Sequence, residues 1–136
     1  TDVLAALLRE LGPEVVRTGD AIPARNRQDA AGGTPTAPLA LLLPRSTEEV
    51  SAALRICRAH GQPVGPQGGL TGLAGGAHPA EGEVALSLER MTGVEELDRE
   101  AGTLTALAGT PLKVIQDAAD EAGFLCGIDL GARGSC

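Results

Sequence analysis

Chemistry without charged side chains is what the middle of this chain offers. From residue 64 it reads Val64-Gly65-Pro66-Gln67-Gly68-Gly69-Leu70-Thr71-Gly72-Leu73-Ala74-Gly75-Gly76, and eight glycines fall within the 22 positions from Gly61 to Gly82. Without Cβ atoms, successive backbone N–H groups can converge on one point and hold an anion with no cationic side chain. The run follows an extended segment, Gln62 to Pro66, and open α/β sheets bind their ligands beyond the carboxyl ends of their strands. A diphosphate suits such a loop, since each charge-assisted hydrogen bond contributes about 1.5–3 kcal/mol. The alternative on composition alone is a flexible glycine turn between two strands. Two familiar phosphate loops are excluded. G-x-G-x-x-G does not occur, and the one lysine, Lys113, is not in a Gly-Lys-Ser/Thr end but in a predicted helix.

Several elements must position this loop. Leu4, Leu7, Leu8 and Leu11 share one helical face, and Gly12-Pro13 stops that helix. Residues 18–38 are rich in Gly, Pro, Asn, Asp and Ala without periodicity and read as a long irregular connection. Leu39 to Leu43 is a short continuous apolar run, expected as a buried parallel strand. Ser46 then caps a helix while Glu49 reaches back in an S-x-x-E box, and Val50, Ala53, Leu54 and Cys57 form the inward stripe up to His60-Gly61. With the extended segment after it, this is a right-handed βαβ unit. Val84, Leu86 and Leu88 alternate as a half-buried strand, and Val94 to Leu97 pairs with Thr103 to Ala108 as a hairpin. Thr110 as N-cap and Pro111 at the first helical position open a last helix, with Leu112, Ile115, Ala119 and Ala122 inward and Gly123 at its end. Gly127 to Cys136 is a second glycine-bearing loop.

Composition narrows the function classes. The 136 residues include 19 glycines, one aromatic residue (Phe124) and a net charge of −7. Binding nucleic acid by base stacking needs aromatic platforms, and a broad phosphate surface needs net basic charge. Both are excluded. No apolar run reaches the 18 residues of a membrane-spanning helix. Cys57, Cys126 and Cys136 form no C-x-x-C pair, so neither a zinc site nor a disulfide framework is signalled, and reduced, mostly buried thiols in a cytoplasmic protein are expected.

The order of residues carries more than the composition. The segment from Val64 to Gly76 closely resembles the first FAD-diphosphate loop of the vanillyl-alcohol oxidase and p-cresol methylhydroxylase superfamily. Leu43-Pro44-Arg45-Ser46-Thr47-Glu48-Glu49-Val50 is similar to that family's strand-to-helix junction, and Asp129-Leu130-Gly131-Ala132-Arg133-Gly134-Ser135-Cys136 looks like its second flavin loop. Gln67 and the Gly-Ser-Cys ending most resemble the D-2-hydroxyglutarate and D-lactate dehydrogenase branch. The likeness runs from about residue 38 to 136.

The resemblance implies an α+β fold: an N-terminal βαβ subdomain and the start of a second, mainly antiparallel subdomain of a PCMH-type FAD-binding domain. The rest of that domain and a C-terminal cap domain that binds substrate lie outside this sequence. It implies non-covalent FAD, with Gln67, Gly68, Gly69, Leu70, Thr71 and Gly72 at the diphosphate, largely through backbone N–H groups. Pro66, Leu73 and Gly75 shape the loop, and Gly134, Ser135 and Cys136 approach the flavin end. Relatives in this branch usually carry Asn where Leu70 stands, and the histidine that some members link to flavin after the Gly-Gly pair is absent. The implied reaction oxidises a D-2-hydroxyacid to a 2-oxoacid and passes electrons to an unspecified acceptor. A glycolate oxidase subunit-like enzyme or a non-catalytic diphosphate-binding module are the alternatives.

No catalytic or metal-ligating set is read from these residues. His60 is a helix-end residue, His78 a solvated one, and Glu95, Glu96, Asp98 and Glu100 a soluble hairpin edge. Asp129 is either an orienting group of the second loop or a turn former.

Overall fold

The computed structural model describes residues 2–136. Helix α1 (Asp2–Leu11) leads into a short strand β1 (Val16–Arg17), and the connection to β2 (Ala40–Leu42) contains two 3₁₀ turns, Gly19–Ala21 and Ala24–Arg27. Helix α2 (Thr47–Ala59), β3 (Val64–Gln67) and β4 (Val84–Ser87) complete the first unit. A hairpin of β5 (Val94–Asp98) and β6 (Thr103–Ala106) precedes α3 (Leu112–Glu121).

The four strands of the first unit form one sheet in the order β1-β2-β4-β3. β2 and β3 both run parallel to β4, and β1 is antiparallel to β2 at the edge. The expected βαβ unit is present, with β4 inserted between its two strands. That insertion explains a difference from expectation: β4 is buried along its whole length rather than on alternate residues, because a central parallel strand has both faces covered. Leu42, Ala40, Val84 and Leu86 pack with Val3 and Leu7 of α1 and Ala53 and Cys57 of α2. Leu41, Leu43 and Ala85 point to the other face and meet Ile22. Each fully buried Leu of β2 contributes about 1.5–3 kcal/mol by leaving water.

The helix stripes differ from expectation at one residue each. In α1, Val3 takes the inward place and Leu8 is exposed; in α2, Ile56 packs on the core and Leu54 is exposed. Ser46 does cap α2, its hydroxyl accepting from the Glu49 N–H at 3.2 Å. The Glu49 carboxylate, however, turns to the N–H of Arg45 at 2.7 Å and to its guanidinium at 2.7 Å, one residue before the position a capping box uses.

Segment 88–93 links the sheet to the hairpin. There the Gly109 N–H donates to the Met91 carbonyl at 2.8 Å, and a Cβ on Gly109 would fall onto the Leu88 carbonyl. Thr110 is not the helix cap. Its hydroxyl accepts from the Gly93 N–H at 3.0 Å and donates to the Leu107 carbonyl at 2.7 Å, tying the hairpin base together.

Candidate functional site

Residues 68–83 carry the chain from β3 to β4, two parallel neighbours, without the helix such a crossover usually contains. Its start lies at the carboxyl end of β3. Among the described residues, none of the backbone N–H groups from Gly68 to Ala77 donates to a protein acceptor. Unpaired backbone donors persist only where solvent or a ligand can meet them, and Gly68, Gly72, Leu73, Gly75 and Gly76 are exposed. Around Gly68, Gly72 and Gly76 there is open space where a Cβ would stand. This is the donor set that an anion needs, and no cation is among its side chains.

Among the described residues Leu70 is the one non-glycine residue with positive φ, at 61°. An L-residue there costs about 1–2 kcal/mol, and the bend is held from outside by the Ala30 N–H, which donates to the Leu70 carbonyl at 3.0 Å. The loop's other end is held too: the His78 N–H donates to the Gly75 carbonyl, and Nε2 of His78 lies 3.3 Å from the Thr36 hydroxyl. His78 is therefore half-buried rather than solvated.

The two glycine loops meet. A Cβ built on Gly69 would coincide with the Ser135 carbonyl and come within 2.9 Å of the Cys136 Cα. Only glycine permits that approach. The second loop is docked on α3: the Leu112 N–H donates to the Cys136 carbonyl at 2.9 Å and the Lys113 N–H to the Arg133 carbonyl at 2.8 Å. Those carbonyls use the first donors of α3, so the anion-attracting end of this helix is occupied by protein. Asp129 is an acceptor at the base of the second loop. Gln116 Nε2 donates to it at 3.0 Å and the Arg133 guanidinium at 3.2 Å, and these bonds hold its carboxyl below the usual range.

Sequence reading placed Gln67 at the ligand, and the structure puts its side chain beneath the loop, 1% exposed. Its Oε1 accepts from Asn26 Nδ2 at 2.9 Å, while its Nε2 donates to the carbonyls of Asn26 at 3.0 Å and Ala77 at 3.1 Å. Asn26 and Asp29, both buried, were missed. They stand in the aperiodic connection, 41 residues from Gln67 in the case of Asn26, and nothing local marks them. Asp29, with Arg25, Gln28 and Ala30, lines a 240 Å³ pocket against Gly69 and Leu70. Of the three free thiols only Cys57 is buried, and burial pushes it up; Cys126 and Cys136 are half-buried, fewer covered than expected. A larger cleft, about 450 Å³, separates the hairpin from α3 and is lined mainly by Leu97, Leu104, Ile115, Phe124 and Leu125.

A parallel sheet with a glycine crossover, joined to an antiparallel hairpin and a helix through a second glycine loop, defines a two-part nucleotide-binding fold. The model of the FAD binding domain matches residues 38–136, and the chain belongs to that family, with FAD as its cofactor. The chain is 48% identical over 99 residues to a D-2-hydroxyglutarate dehydrogenase of Xanthomonas citri pv. viticola, spanning 73% of this chain and 21% of that protein. It is 42% identical over 96 residues to the mitochondrial D-2-hydroxyglutarate dehydrogenase of Bos taurus, spanning 71% and 18%. The chain thus spans about a fifth of the length of these relatives.

Among solved structures, alkyldihydroxyacetonephosphate synthase shares the fold with a TM-score of 0.80 at 21% identity, over 95% of this chain and 27% of that one. For p-cresol methylhydroxylase the TM-score is 0.75 at 21% identity, over 90% and 25%. The α+β expectation and the superfamily resemblance both hold.

The residues present fit FAD. An exposed row of unpaired N–H groups and a glycine contact that a Cβ would fill are what a diphosphate cradle requires. No helix among the described residues is long and apolar enough to cross a membrane.

Proposed function

We propose that this chain is the diphosphate-gripping part of a flavin-dependent dehydrogenase that oxidises a D-2-hydroxyacid to its 2-oxoacid. The single observation that carries the reading is the unbroken run of free N–H donors from Gly68 to Ala77 at the carboxyl end of β3. Gly68, Gly69, Leu70, Thr71 and Gly72 present those donors to the diphosphate; Pro66, Gln67 and Leu73 set the shape of the loop. Ser135 and Cys136, held against Gly69, and Gly134 before them would stand on the flavin side. Bound FAD supplies the two-electron acceptor for the carbon bearing the hydroxyl. This chain's own part is to bind and orient the cofactor.

The substrate class is supported by the names of the relatives, which include D-2-hydroxyglutarate dehydrogenases and a putative D-lactate dehydrogenase of Schizosaccharomyces pombe at 38% identity. A cap domain would present the substrate to the bound cofactor, and a separate acceptor would take up the two electrons. A cytoplasmic setting fits the three free thiols, whereas several relatives are named as mitochondrial.

The test is anaerobic mixing of the full-length protein with D-2-hydroxyglutarate, D-lactate and glycolate. Bleaching of the visible absorbance of the bound oxidised flavin by a D-2-hydroxyacid is expected. Protein purified from a flavin-sufficient host without bound flavin contradicts the reading, as does flavin that glycolate reduces and neither chiral acid does. ADP competing as strongly as FAD would point instead to a diphosphate-binding module.

A further inference from the structure

We infer that Asn26 is a positioning residue for the cofactor loop, acting through Gln67; the inference rests on the function proposed above. The hydrogen bonds leave one arrangement. Nε2 of Gln67 faces two backbone carbonyls, those of Asn26 and Ala77, so it must be the donor end of the amide. Oε1 is then the acceptor and requires a donor, which Asn26 Nδ2 supplies at 2.9 Å. Both side chains are 1% exposed, so water does not substitute for either partner.

This pair joins three pieces of chain: the 3₁₀ turn Ala24–Arg27, the end of β3 where the loop begins, and Ala77 where it ends. Between those anchors the loop's donors are free and Leu70 is held at positive φ by Ala30 of the same connection. The connection therefore forms a rear brace. It carries in the protein, before ligand arrives, the ordering that ten or so loop residues would otherwise undergo on binding.

Asn26→Asp tests this with almost no change in shape. The introduced carboxylate offers an acceptor to an acceptor, and flipping Gln67 would only move the conflict to the two carbonyls. Protonated, the same carboxyl has an O–H to donate. The charged and titratable groups next to it in sequence or beside its partners are Arg25 with its partner Glu89, Arg27, Asp29 and, on the loop, His78; their own titration is common to both proteins, so the ratio of dissociation constants isolates the introduced carboxyl in the field they set.

The FAD dissociation constant of full-length apoprotein is measured by flavin fluorescence from pH 7.5 to 5, variant against unmutated. A ratio of about tenfold at the upper pH is expected, closing to about twofold at the lower as the buried carboxyl takes up a proton. A ratio near one at pH 7.5, or one that does not change with pH, overturns the inference. Hydrogen exchange of the unmutated protein decides the matter if the variant does not fold. Peptides covering 24–31 should already be protected in the apoprotein while those covering 67–77 gain protection only with FAD, and a 24–31 segment that exchanges freely until FAD is added overturns the brace. If the unmutated protein does not bind FAD, the proposed function falls and this inference with it; if it binds and the variant matches it at every pH, only the inference falls.

Discussion

Leu70 is the strained position of the proposed anion loop. Its φ of 61° is maintained by the Ala30 hydrogen bond rather than by leucine's own preference. Asn tolerates this region because its short polar side chain bonds locally, which accounts for the Asn that the resemblance associates with this place. Leu70→Asn should therefore raise the stability of the apoprotein by about 0.5–1 kcal/mol in urea unfolding, with FAD affinity kept or improved. A loss of stability would show that half-buried Leu70 is held by packing instead. Gly69 is the opposite case, chosen for what it lacks. Gly69→Ala drives a Cβ into the Ser135 carbonyl and must part the two loops, so FAD affinity should fall by at least about a hundredfold while the sheet persists in circular dichroism.

Helix α2 is fixed at its start by two side chains, Ser46 and Glu49. Ser46→Ala should cost about 1 kcal/mol in thermal or urea unfolding, since the Glu49 N–H loses its acceptor. The Glu49 carboxyl is held below its ordinary 4.5 first by its hydrogen bonds to Arg45. A carboxyl whose pKa is lowered on folding stabilises the fold above the ordinary value, and that contribution is lost as pH falls through the lowered one. Glu49→Gln should then reduce stability at pH 7 and flatten the acid limb between about pH 5 and 3. An unchanged acid limb would mean that the ion pair is too well solvated to matter.

Much at this scale was legible in the sequence, because strands, caps and turns are written locally. The Leu39 to Leu43 run and Ser46 lie where pattern placed them. What pattern could not show was adjacency between distant segments. β4 reads as a half-exposed strand until its neighbours are known, Thr110 reads as a cap until Gly93 and Leu107 are beside it, and Asn26 reads as a loop residue until Gln67 meets it.

Across the whole molecule, two subdomains are joined at Gly109 and again where the glycine loops touch. Gly109→Ala should destabilise by several kcal/mol (about 2–4), since its Cβ meets backbone rather than a movable side chain; a shift in urea midpoint corresponding to less than about 0.5 kcal/mol would show that the 88–93 link is pliable. The candidate site was legible as a motif, in that the order Gln67-Gly68-Gly69 and Gly134-Ser135-Cys136 identified two loops 65 or so residues apart. Their meeting was not, because it depends on α3 presenting its first N–H groups to the Arg133 and Cys136 carbonyls.

In the proposed function, backbone donors between β3 and β4 grip a diphosphate. Equilibrium binding of FAD and of riboflavin to the full-length apoprotein tests it most directly, since the two share the flavin ring and differ in the diphosphate and adenosine. Two charge-assisted bonds at about 1.5 kcal/mol each already correspond to more than a hundredfold. Adding ADP as a competitor assigns the difference to the half of the ligand that carries the phosphates. FAD is expected to bind at least about a hundredfold tighter than riboflavin, with ADP displacing FAD at higher concentration. Equal affinity for FAD and riboflavin, with no competition from ADP, would contradict it.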